Sequence, residues 1–293
     1  PTLAAKLVPK AVAWIRMNHH PLLPDKLGLL LAHLANGGEV DSALELAREL
    51  LAVRGPSGAE SAGLSPEPRA HFPAWDFRRI LERYVPAVVG AAPERGLRLL
   101  CDLLQAAVEI DVAPREPKGP EDYSYIWRPT IEERDPNHPS SIENALVSAV
   151  RDSAEQIARD DPSKVEGLVR LLEEQGWRIF HRIALHLLSR FPDAAPSLVA
   201  ERLADLERFD DLYFRHEYAL LARQCFGSIP AREQATILGW IEKGPDLARY
   251  GRRAPVSEDQ AERFTRYWQR DRLALLGDNL PQEWKQRYKD LVA

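Results

Sequence analysis

Asp161-Pro162-Ser163, Ala195-Pro196-Ser197 and Ile229-Pro230-Ala231 decide how the fold is read. Their prolines stand 34 residues apart, each opening a stretch with helical periodicity, and Pro93 lies 69 residues before Pro162, close to two further periods. Proline suits the first position of a helix, because the N–H it lacks would be unpaired there in any case. Helix starts at a fixed spacing are what stacked hairpins produce. The chain is therefore expected to be all-α, an α-solenoid of irregular helical hairpins of HEAT or TPR type. The competing explanation is chance, since 23 prolines produce some even spacings without a repeat.

Outward from this core, the periodicity predicts helices over 141–158, 162–174, 177–190, 194–208, 212–225, 231–243, 257–276 and 281–291. Ser141, Asp161, Asp193, Ser257 and Asp278 stand where N-caps belong. Gly176, Gly227, Gly244 and Gly277 supply stops. Toward the N-terminus, helices are expected over 2–17 (kinked or started late by Pro9), 27–34, 40–53, 75–89 and 93–110. Asn36-Gly37-Gly38 turns the second and third into a hairpin. No six-residue stretch alternates apolar and polar residues between turn signals, so no sheet is expected. Two long interruptions stand out. Residues 55–72 read as a mobile loop, and 113–139 hold six prolines with Tyr123, Tyr125 and Trp127. The second is taken as the boundary between an N-terminal region, 1–112, and a C-terminal array, 140–293.

Composition narrows the function. A net charge of -5 over 293 residues argues against attraction of the whole surface to nucleic acid or membrane, leaving local patches open. Cys101 and Cys225 each sit in an apolar helical pattern, as buried thiols of a reducing compartment would, with no disulfide or zinc framework. No apolar run reaches the ~18–20 residues of a membrane helix. The opening Pro1-Thr2-Leu3-Ala4-Ala5 lacks a secretory layout, so a cytoplasmic protein is expected. The start at Pro1 and the single Met17 suggest a processed chain or a piece of a larger one. An excess of 31 Arg over 8 Lys fits a GC-rich bacterial genome.

Catalytic motifs are not forthcoming. Gly55-Pro56-Ser57-Gly58 lacks the lysine of a phosphate loop, and His216-Glu217 is followed by Leu220 where a zinc site needs histidine. His181 and His186 fall on different helix faces. No catalytic, cofactor or metal residue is assigned. Trp177, Arg182, Arg215, Glu217 and Tyr218 would line a common groove if their helices are equivalent, and Tyr123, Tyr125 and Trp127 would form a flap against a protein partner. The competing reading puts Phe180, Ile183, Phe214 and Tyr218 in the core, with Arg215 and Glu217 paired locally. Arg252, Arg253, Arg266 and Arg270 are candidate phosphate contacts on a basic, aromatic segment, although Glu258, Asp259, Glu262 and Asp271 dilute it.

Trp177-Arg178-Ile179-Phe180-His181-Arg182-Ile183-Ala184-Leu185-His186, Arg215-His216-Glu217-Tyr218 and Ile237-Leu238-Gly239-Trp240-Ile241-Glu242 carry a resemblance. Residues 176–246, about a quarter of the chain, resemble the C-terminal helical region of bacterial STAND-type NTPases, the NLR-like proteins of antiphage defence. The resemblance implies a sensor of foreign protein, with ATPase and effector domains outside this sequence and oligomerisation through the parent protein. The expected function is a non-catalytic, protein-binding helical-repeat or sensor module. The alternatives are a nucleic-acid-binding array or repair enzyme built on the basic C-terminal segment with Asp271, and an internal spacer.

Overall fold

The computed structural model describes residues 2–17, 20–55, 67–113, 121–132, 141–248 and 257–292, and the described residues are overwhelmingly helical. The chain divides into two units, Pro1–Leu187 and Leu188–Ala293.

In the first unit α1 (Leu3–Met17) runs through Pro9, and α2 (Leu23–Asn36) and α3 (Val40–Leu50) form the expected hairpin around Gly38, whose φ of 76° suits glycine. The predicted helix over 75–89 is two helices, α4 (Ala74–Arg83) and α5 (Val85–Ala91). Pro86 has no N–H to continue the ladder, so the chain turns at Tyr84. The Tyr84 ring crosses α2 so closely that a Cβ on Gly28 would lie 2.2 Å from its Cδ2. Its hydroxyl donates to Asp25 Oδ1 at 2.5 Å. Asp25, in the first turn of α2, therefore holds a tyrosine.

Helix α6 (Pro93–Val112) packs along α8 (Ile142–Asp160), with the short α7 (Ser124–Trp127) between them in sequence. This corrects the expected boundary at 113–139: helices on either side of that stretch share one core, and the division falls at Leu187–Leu188. A second correction concerns strands. Val53–Arg54 (β1) pairs antiparallel with Arg69–Ala70 (β2), a two-residue ladder too short to leave an alternating pattern in sequence. It ties together the ends of the 55–72 loop, of which 56–66 lie outside the described residues. Helices α9 (Val165–Glu173) and α10 (Arg178–Arg190) follow, and the unit boundary falls inside α10.

The second unit holds α11 (Pro196–Leu203), α12 (Leu206–Asp210), α13 (Arg215–Cys225), α14 (Ala231–Lys243), α15 (Glu258–Leu276) and α16 (Gln282–Val292). Asp205 splits the predicted 194–208 helix by accepting from Glu207 N and Arg208 N, which starts α12. Helix α11 packs on α13 and α14, and α15 packs on α13, α14 and α16. Phe209 joins them, its ring meeting Tyr218, Trp240 and Trp268 at centroid distances of 5.9, 5.4 and 5.9 Å.

All four spaced prolines stand at helix starts. Pro93 and Pro196 open α6 and α11, Pro162 opens a 3-10 turn leading into α9, and Pro230 precedes α14. Ser141, Asp161 and Ser257 cap as expected, whereas Asp193 and Asp278 lie inside 3-10 turns. Both cysteines are buried and free, and burial raises the Cys101 thiol to about 12. No helix among the described residues is long and apolar enough to cross a membrane.

Candidate functional site

Residues 121–132 contain the aromatic cluster, and buried arginines anchor them. Arg128 donates to the carbonyl oxygens of Thr130 (2.9 Å) and Ile131 (3.2 Å), and to Asn144 Oδ1 (3.3 Å) and Ser148 Oγ (3.2 Å) on α8. Arg182, on α10, donates to the carbonyl oxygens of Arg128 (2.8 Å) and Pro129 (3.0 Å). Arg151, on α8, reaches the carbonyl oxygens of Ile131 (2.7 Å) and Glu132 (3.1 Å). Buried carbonyls of an irregular segment must find partners, and these guanidiniums supply the donors. Asp122 completes the anchor. One carboxylate oxygen accepts from Ser124 N at 2.9 Å and the other from Ile179 N at 2.5 Å. Burial pushes the Asp122 carboxyl up, opposed by those hydrogen bonds and the Arg182 charge.

Between the tied Asp122 and Ser124, Tyr123 has φ 52°, the one positive φ outside glycine among the described residues. A left-handed tyrosine is strained, and such strain persists where the surroundings fix it. Trp127 is fixed by Nε1 donating to Asp122 O at 3.0 Å.

Tyr123, Ile126 and Trp127 line one wall of a cavity of about 880 Å³. Phe72 and His71, just after β2, line it too, as do Asp111 near the end of α6 and Ser141, Ile142 and Glu143 at the start of α8. Ser141 Oγ accepts from Asn144 N, closing the helix start, and donates to Glu143 Oε2 at 2.7 Å. Burial raises the Glu143 carboxyl, and the charges of Asp111 and Glu67 raise it further. The His71 imidazole is lowered by burial and by Arg54, whose guanidinium lies 2.8 Å from Nε2. With Glu67 and Arg69 also in the lining, carboxylates outnumber cations. An aromatic wall facing a carboxylate that is costly to ionise suits a cationic group, which would neutralise the charge and stack on the rings.

No family model, curated protein or solved structure matches the chain. Its residues alone therefore carry the functional reading.

The residues singled out in sequence separate into distinct places. Tyr123 and Trp127 reach the cavity, while Tyr125 is exposed outside its lining. Trp177 is half-buried at the head of α10. Arg182, Glu217 and Tyr218 do not face a groove, and this corrects the expectation: each is buried, with Arg182 serving the 121–132 segment and Tyr218 donating to Leu203 O at 2.7 Å. Phe180, Ile183 and Phe214 are core. Arg215 pairs with Asp271 rather than with a local acid. Arg272, sandwiched between the Phe209 and Trp268 rings at 5.4 and 5.3 Å, is held by Asp210. Asp271 and Arg272 are thus both engaged in ion pairs. Arg270 lies over the Tyr267 ring at 4.9 Å, Arg266 is exposed, and Arg252 and Arg253 lie outside the described residues. Sequence reasoning missed Asp111, Glu143, Glu67, His71 and Phe72, because residues so far apart form no spacing motif.

Proposed function

We propose that the chain is a non-catalytic helical-repeat module that binds a protein partner by taking one of its basic side chains into the cavity. The observation that carries this reading is the fixed 121–132 segment, which holds Tyr123, Ile126 and Trp127 beside Glu143. Such a rim is recognition chemistry: aromatic surface already ordered, so little conformational entropy is lost on binding. The packing of α11 on α14 and of α13 on α15 supports the repeat, since successive stacked hairpins bring equivalent helices together. On the resemblance of 176–246 to STAND-type sensors, the partner is a foreign protein and the chain part of a bacterial defence protein. Within that stretch the carriers Ile179, Phe180, Ile183 and Leu185 are core residues, which suits a scaffold.

Calorimetric titration with a lysine- and arginine-rich peptide tests this. Binding is expected, weakened by Trp127→Ala and by Glu143→Gln. No binding, or binding unaffected by both substitutions, contradicts it, as does turnover of any substrate in the cavity.

A further inference from the structure

Helix α1 has two apolar stripes, and only one is covered within the described residues. Val8, Ala11 and Ile15 are buried on the side where α1 packs on α2 and α3. Leu3, Leu7, Trp14 and Met17 are exposed at 78, 37, 47 and 73%. Steps of three, four and seven residues place these four on one face at 3.6 residues per turn, with Lys6 and Lys10 on the same face. The helix contains no acidic residue. Arg16 is paired with Glu49, while neither lysine has an ion-pair partner among the described residues.

We propose that this face docks an acidic amphipathic helix of a protein partner. Four large apolar side chains in register along a helix are the anchors of helix-to-helix recognition, and unpaired lysines among them select carboxylates. A second copy fits poorly, because it would set Lys6 and Lys10 against the same charges. A bilayer surface also fits poorly. Helices that lie on membranes keep their cations on the polar face, whereas Lys10 stands within the apolar stripe. The site is separate from the cavity and independent of its reading.

Two synthetic helical peptides, one apolar on one face and glutamate-rich on the other, its twin lysine-rich, are titrated into the full chain. The acidic peptide is expected to bind, more weakly as salt rises, and the basic twin is not expected at α1. Leu7→Ser with Trp14→Ser should weaken the acidic peptide about tenfold or more, and Lys6→Glu with Lys10→Glu should abolish it. These side chains are exposed, so an unchanged circular dichroism spectrum certifies the fold, and Trp127→Ala should leave the affinity as it was. The proposal is overturned if the acidic peptide fails to bind, if its affinity follows Trp127 instead of Trp14, or if anionic vesicles bind in its place. Self-association lost on Trp14→Ser would overturn it as well.

Discussion

The Arg182 guanidinium donates to the carbonyl oxygen of Arg128 at 2.8 Å, and both side chains are buried. Through this contact helix α10 holds the peptide groups just beyond α7, so residues 121–132 of the apparent insertion are anchored to the helices beside them. Arg182→Met would leave the Arg128 and Pro129 carbonyls without these donors. The expected loss is about 2–4 kcal/mol in denaturant unfolding, with faster amide exchange over 124–131. Lysine should not restore it, because one ammonium cannot reproduce the planar fork.

Tyr84 and Gly28 set a second test. With Cδ2 2.2 Å from a prospective Cβ, Gly28→Ala must displace a buried ring. A destabilisation of about 1–3 kcal/mol is expected despite alanine's better helix propensity, read from the unfolding midpoint.

How much was legible in sequence follows from these contacts. Helix starts were readable because proline and capping side chains act locally, as Pro196 and Ser141 show. The break at Tyr84 was also local, carried by Pro86, yet the apolar periodicity of 75–89 concealed it. What eluded sequence was the destination of polar side chains. Arg182 reads in sequence as a groove-lining arginine, and only the fold reveals the buried carbonyls it meets. The cavity was half legible: Tyr123 and Trp127 stood out as aromatics in a proline-rich stretch, whereas Asp111 and Glu143 are brought together by α6 lying along α8.

Glu143 gives a pH-dependent prediction. Its carboxyl is raised in the folded chain, so ionisation costs stability as pH rises from the ordinary value of 4.5 through the raised folded value. Glu143→Gln should be at least as stable as the parent at neutral pH while binding the basic peptide more weakly. The stability difference should close below pH 4.5, as measured by urea titrations across pH.

Glu155 behaves oppositely. The hydrogen bond to His186 Nε2, at 2.9 Å, lowers its carboxyl to about 2. A lowered acid stabilises the fold above its unfolded value of 4.5, and that contribution disappears as pH falls from 4.5 through about 2. Glu155→Gln should therefore cost about 2–3 kcal/mol at neutral pH and progressively less in acid, measured by the same titrations.

The most direct test is amide hydrogen exchange on the full chain, with and without a saturating lysine- and arginine-rich peptide. Protection concentrated over 123–127 and the first turn of α8, and absent in Trp127→Ala, is the predicted result. Protection confined to other helices, or no change at saturation, would contradict the account.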